Sequence, residues 1–377
     1  MFDVLLSVII SFSITLLAIP AIITVAERKK LFDIPDERKI HQLPIPSLGG
    51  LGIFAGFILA CFVTIPFHQS PELQYFFAAS IVIFFLGLKD DILIISPVKK
   101  FIGQVIAAFL IIYLGGVQIR SAHGFAGIYE LPELFSLLLT YFTVLVIVNS
   151  FNLIDGIDGL AGSLGIMASS VFGFYFLSVD QTAYSILAFS LSGSIAAFLI
   201  FNFLPARIFM GDTGSLLIGL INSILVIKFI NISQMPGIAH PINASPAVGF
   251  AILMIPLMDT LRVFAIRIFN RRSPFSPDRN HVHHLLLDRG MSHRAITLSL
   301  VGVNLVFVAA AYFLRSIGTT WLILSIVGLF FLGIAILYYT RSRTRLFVAR
   351  ANNGKHASLK TTKIVSLTKD AILEEKN

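Results

Sequence analysis

Carboxylates and amides at the end of an apolar helix call for a partner. In this chain the run LFSLLLTYFTVLVI passes without interruption into VNSFNLIDGIDGLAGS, residues 148–163, which carries Asn149, Asn152, Asp155 and Asp158 among glycines. Asn152, Asp155 and Asp158 fall three apart, so on a helix they form a slowly rotating stripe, and Gly156 and Gly159 let a ligand come close to the backbone. An ordinary turn uses the same residue types. Four acid or amide groups beside a membrane span exceed what a turn needs, because ionisable groups at membrane depth are costly and mark sites where something binds.

Four more segments carry residue types of the same kind. DIPDERKIHQLPIPSLGGLG, residues 33–52, is a basic loop with Lys39 and His41 that ends in a glycine-rich helix start, whose free N–H groups suit an anion. FFLGLKDDILIISPVKKF sets Asp90 and Asp91 side by side where an apolar run ends. The helix dipole is already negative there, so a cation is expected nearby, and Lys99 and Lys100 follow within a short loop. FNFLPARIFMGDTGSLLIG places Asp212 between glycines at a helix start. Capping accounts for one of Asp212, Thr213 and Ser215, but not for the glycines or for Arg207. NRRSPFSPDRNHVHHLLLDRG brings Arg279, His281, His283 and His284 into one basic loop. No matching ligand pair elsewhere completes a zinc site, so phosphate or sugar recognition suits these histidines better. Asp259 and Arg262, three apart inside an apolar run, read as an ion pair that lowers the cost of its own burial.

Cys61 is the only cysteine, so the donors available are oxygens and imidazoles. Oxygen-rich sites select hard cations, and Mg²⁺ enters most sites with one or two carboxylates and the phosphates of a substrate. Surrounding Lys, Arg and His would handle the remaining phosphate charge. This donor set describes a metal-bound nucleotide diphosphate meeting a lipid-borne partner. The chain has no GxxxxGK[ST] loop, which disfavours ATP-driven transport.

The elements that must hold these residues are apolar. Of 377 residues, 56% are hydrophobic and 13% charged, which predicts an all-α polytopic integral membrane protein. Eleven spans are expected, near 3–26, 48–67, 74–89, 101–117, 134–151, 160–178, 183–204, 215–232, 247–268, 295–314 and 321–340. The first has no Lys or Arg ahead of it and reads as a retained helix instead of a signal peptide. The loops after odd-numbered spans, with the tail, hold 23 of the 28 Lys and Arg. Cytoplasmic loops are enriched in both residues, so the N-terminus is expected outside and the C-terminus inside, with every segment above on the cytoplasmic face. Residues 1–340 then form one transmembrane domain and 341–377 a basic cytoplasmic tail. A net charge of +8 placed this way faces the bilayer surface, not nucleic acid.

In this order, KDDIL, NSFNLIDGIDGLAG, FNFLPARIFMGDTGSLLIG and DRNHVHHLLLDRG closely resemble the polyprenyl-phosphate N-acetylhexosamine-1-phosphate transferases, glycosyltransferase family 4, on their WecA/TagO-like side. The resemblance covers about residues 1–340. MraY, the relative that makes the first peptidoglycan lipid, shares the acidic motifs but has a lysine soon after the paired acids, where this chain has Ile94. The resemblance implies transfer of N-acetylhexosamine-1-phosphate, GlcNAc-1-phosphate first of all, from the UDP-sugar to undecaprenyl phosphate. It implies Mg²⁺ or Mn²⁺ held by Asn152 and Asp212, and Asp90, Asp91 and Lys100 near the lipid phosphate. Asp155, Asp158 and Gly156 fall on the nucleotide side, with Arg207, Arg279, His281, His283, His284, Lys39 and His41 as further substrate contacts. The expected setting is the bacterial inner membrane, and a homodimer is left open. A transporter or flippase for anionic lipid-linked sugars is the rival class. CDP-alcohol phosphotransferases fit poorly, since IDG follows Asp155-Gly156 where they carry DGxxAR.

Overall fold

Lipid offers a backbone no hydrogen-bond partner, so each apolar run must satisfy its N–H and C=O groups within itself, and it does so as a helix. The structure, a computed structural model, describes residues 1–31, 45–93, 95–203, 205–271, 273 and 280–340. Lys39, His41, Arg279 and the basic tail 341–377 lie outside the described residues. The helices are α1 (Phe2–Lys29), α2 (Gly49–Thr64), α3 (Leu73–Leu93), α4 (Pro97–Phe109), α5 (Glu133–Ile154), α6 (Leu160–Ser178) and α7 (Thr182–Asn202). They continue as α8 (Gly211–Ile232), α9 (Ser245–Ile252), α10 (Met254–Phe269), α11 (Val282–Leu287), α12 (His293–Phe313) and α13 (Thr319–Tyr339). The chain divides into Met1–Ile334, which holds the site described below, and Ala335–Asn377, described only through Thr340.

The protein is an all-α polytopic membrane protein in outline, with differences from the expected elements. Among the described residues eight helices are long and apolar enough to cross a membrane, or nine if one bent pair counts as a single span. Helix α2, with 16 residues, is apolar but shorter. The expected span 247–268 is two helices, α9 and α10, meeting at 81°. Asn304 of α12 closes that break, accepting from the Ile255 N–H at 2.9 Å and donating to the carbonyls of Ala251 and Ile252 at 3.2 and 3.0 Å. A break at membrane depth needs such a splint, because no water reaches its freed backbone groups. Helix α4 runs on into a π turn, Leu110–Leu114. A two-stranded hairpin, β1 (Ser121–Phe125) with β2 (Ile128–Glu130), was not expected from the sequence.

Helix α8 is the axis of the fold. It is apolar on every side and buried on nearly every side, the pattern of a helix enclosed by others. Helices α2, α3, α5 and α6 pack against it. Its N-terminus therefore delivers Asp212 to the point where the ends of α3, α4 and α5 converge.

Candidate active site

The two adjacent acids of α3 have separate tasks. Asp91 reaches the N-terminus of α8, where one carboxylate oxygen accepts from the Asp212 N–H at 2.7 Å. The other accepts from the Thr213 N–H at 3.1 Å and the Thr213 hydroxyl at 2.6 Å. It serves as the N-cap of a helix 121 residues away, satisfying orphan donors and meeting the positive end of the dipole. Gly211 makes room for it. Its φ of 70° is left-handed, and a Cβ there would strike the Ser47 carbonyl and the Asp91 carboxylate. The glycine-rich start of α2 is pressed onto the same end, with Gly49 N–H and Gly50 N–H donating to the carbonyls of Phe209 and Met210 at 2.9 and 2.8 Å. Those two N–H groups, expected to face an anion, are thus taken up in holding α2 to the start of α8.

Asp90 turns the other way, to Lys100. The Lys100 ammonium lies 3.1 Å from the Asp90 carboxylate, pairs with the Asp212 carboxylate, and donates to Asn152 Oδ1 at 3.2 Å. Asn152 in turn donates from Nδ2 to Asp212 Oδ1 at 2.7 Å and to the Ser215 hydroxyl at 3.0 Å. Asp90 also accepts from the Ile95 N–H at 2.6 Å, which pins it across the α3–α4 turn. Asp90, Lys100, Asn152 and Asp212, from four helices, thus meet around one cation. One turn deeper, Gln104 and Asn149 exchange amide hydrogen bonds, at 2.8 Å from Asn149 Nδ2 and 3.3 Å from Gln104 Nε2. Asn149 is in this way assigned to fastening α4 to α5, which sets Lys100 against Asn152.

The 155–159 turn adjoins this cluster. Burial, then the charges of Asp212, Asp91 and Asp158, push the Asp155 carboxyl up to about 8. Asp158 is buried, with His293 Nδ1 3.7 Å from its carboxylate. At Gly156 the space a side chain would need is held by His283, whose Nε2 would lie 2.8 Å from a Cβ there. His283 is itself buried, and that burial followed by the charge of His284 holds its imidazole down to about 3, hence neutral. The rings of His281 and His283 stack 5.5 Å apart, and that of His284 lies 4.4 Å from His283. The histidine helix α11 is therefore docked on the turn that bears Asp155 and Asp158. Arg207 is not part of this grouping: it is exposed, with its guanidinium 5.9 Å over the ring of Phe201.

Thr213, Ser215, Gln104 and Asp259 take part in holding the site without having stood out as site residues in the sequence. Thr213 and Ser215 were visible there only as capping residues, and Gln104 had no local signal. Among the described residues no three His, Cys, Asp or Glu side chains form a metal cage. The oxygens of Asp90, Asp212 and Asn152 already surround a cation, the Lys100 ammonium, and such a set of hard donors suits a divalent ion that keeps most of its ligands from water and phosphate.

The model of the family "Glycosyl transferase family 4" matches residues 73–230, which include Asp90 through Asp212. A protein of Bacillus subtilis (strain 168), titled "Probable undecaprenyl-phosphate N-acetylglucosaminyl 1-phosphate transferase", is 31% identical over 87% of this chain and 89% of its own length. Undecaprenyl-phosphate alpha-N-acetylglucosaminyl 1-phosphate transferases of Yersinia pestis and Escherichia coli (strain K12) are 31% and 32% identical over 74% and 76% of this chain, and 78% of their own length in each case.

Proposed function

The chain belongs to glycosyl transferase family 4, and from that premise we propose that it transfers GlcNAc-1-phosphate from UDP-GlcNAc to undecaprenyl phosphate. An oxygen of the lipid phosphate attacks the sugar-linked phosphorus of the donor, the bond from that phosphorus to the bridging oxygen breaks, and UMP leaves with the oxygen. One phosphoanhydride replaces another, so no ATP is required. The product is the first lipid-linked intermediate of a cell-surface polysaccharide of the O-antigen, enterobacterial common antigen or teichoic acid type.

The observation that carries the proposal is the ring of Asp90, Asp212 and Asn152 about the Lys100 ammonium. Phosphoryl transfer asks chiefly for positioning and for neutralisation of charge. Lys100 supplies a fixed cation at the point where two anionic substrates must meet. Asp212 and Asn152, with Asp90 beside them, are the residues that would hold Mg²⁺ or Mn²⁺, which when bound neutralises the diphosphate of the donor. Direct displacement is favoured over a phospho-enzyme because both acids are committed. Asp91 accepts three hydrogen bonds from the start of α8, and Asp90 is paired with Lys100 and the Ile95 N–H. A phosphate monoester with a second pKa of about 6 is mostly dianionic at neutral pH and needs no base.

Orientation is part of the proposal. The chain crosses a bacterial inner membrane eleven times, with α9 and α10 as one broken pass, the N-terminus outside, the C-terminus inside and the site facing the cytoplasm. Its support is the concentration of Lys and Arg in alternate loops. Purified protein given undecaprenyl phosphate, Mg²⁺ and each UDP-N-acetylhexosamine in turn is expected to release UMP, fastest with UDP-GlcNAc. Release of UMP with none of them would overturn the proposal.

A further inference from the structure

From the sequence, Asp259 and Arg262 of α10 read as a pair that eases its own burial, and Arg262 Nη2 does donate to Asp259 Oδ1 at 2.9 Å. The pair does more than that. Asp259 Oδ1 also accepts from the Val282 N–H at 2.9 Å, and its Oδ2 lies 2.9 Å from His281 Nδ1. Arg262 Nη2 donates in addition to the Asn280 carbonyl. Three consecutive residues at the start of the histidine helix are thus held by two side chains of α10. The carboxylate and the imidazole are both buried: Asp259 is 1% exposed and His281 5%.

We propose that Asp259 is a positioning residue that fixes the proton of His281 on Nδ1 and seats the histidine helix on the Gly156 turn. An ionised carboxylate can only accept, so a His281 nitrogen facing Asp259 must carry a hydrogen. When the ring carries a single proton, Nε2 is then the lone-pair acceptor, and the second nitrogen of a histidine is commonly set in this way by its carboxylate partner. The parallel stack of His281 on His283, with planes 4° apart, transmits the orientation, and His283 Nε2 abuts Gly156. A pair that served only its own burial would have no need to engage Asn280, His281 and Val282. Asp259→Asn turns an NH₂ donor toward Nδ1 and drives the His281 proton to Nε2, while the neighbouring backbone contacts keep an acceptor oxygen. The same exchange in an Asp–His pair lowers turnover by the wrong tautomer alone, with the geometry intact.

The test reads the tautomer directly. In full-length protein labelled with ¹⁵N-histidine at pH 8, the His281 signal is identified by its loss in His281→Gln. The wild type is expected to show Nδ1 protonated and Nε2 bare, and Asp259→Asn the reverse. Turnover measured by UMP release should fall at least about tenfold in Asp259→Asn and recover in part in Asp259→Glu. A wild-type His281 protonated on Nε2 overturns the proposal whether or not Asp259→Asn folds. So does a folded Asp259→Asn that retains wild-type turnover. Only the turnover arm rests on the transferase reading. A wild type that releases no UMP would sink that reading and leave the tautomer measurement standing.

Discussion

Asp91 is the residue whose assignment is most open to direct attack, since its place beside Asp90 suggests chemistry and its contacts indicate architecture. Asp91→Ala leaves the N–H groups of Asp212 and Thr213 and the Thr213 hydroxyl without their acceptor. A hydrogen bond to a charged group contributes about 1.5–3 kcal/mol, and a lost N-cap costs about 0.5–2 kcal/mol. The three bonds share one carboxylate and one helix end, and water can enter where Asp91 was, so the expected net loss is about 3 kcal/mol, not the sum of three bonds. Asp91→Asn keeps one acceptor oxygen and should lose about half as much. Asp90→Asn breaks one ion pair at a partly hydrated edge and should lose about 1 kcal/mol or less. Cys61, the only cysteine and fully buried, provides the assay. A thiol-reactive fluorophore in detergent reports unfolding as Cys61 becomes accessible, and the midpoint should fall in the order wild type, Asp90→Asn, Asp91→Asn, Asp91→Ala. An Asp91→Ala protein that unfolds at the wild-type temperature would refute the capping role, as would an Asp90→Asn protein destabilised equally.

Three further outcomes are expected. Lys100→Gln removes the ammonium shared by Asp90, Asp212 and Asn152, so UMP release should drop at least about a hundredfold, while Mg²⁺ alone binds more tightly for want of a competing cation. Unchanged turnover or weaker Mg²⁺ binding in calorimetry would contradict this. Asp155 is raised to about 8, so the metal-free fold holds a proton that the unfolded chain has released, and its stability falls as pH rises from about 4 to 8. A divalent ion beside these acids favours the ionised form, so Mg²⁺ should bind more tightly from pH 6 to pH 8 with release of protons, seen as a buffer-dependent binding enthalpy; a pH-independent affinity would speak against it. Gly211→Ala forces a Cβ into a left-handed position against the Ser47 carbonyl and Asp91, and it should cost more than about 1 kcal/mol and abolish turnover, whereas Gly302→Ala, in open space, should leave both near wild type.

The class of the protein and the helical nature of its passes were legible in the apolar runs, because a backbone in lipid has few other options. The oxygen-donor character of the site was legible too, since Asp90, Asp91, Asn152, Asp155 and Asp212 are costly beside a membrane unless they serve something. What the residues could not reveal alone was which of them touch. Asp90 and Asp91 are neighbours in the chain, but successive side chains on a helix point about 100° apart, so one meets Lys100 and the other caps α8. Gln104 and Asn149 form their pair 45 residues apart, a contact that no local pattern encodes. The 81° break between α9 and α10 was equally hidden, because its apolar residues match those of a continuous span and the polar group that permits it, Asn304, lies on another helix. Sequence alone determined the medium, the helices and the kinds of atom at the site. Only the packing of α3, α4, α5 and α8 decided which acid joins Lys100 and which caps α8, since direction in space depends on where each helix lies against the next.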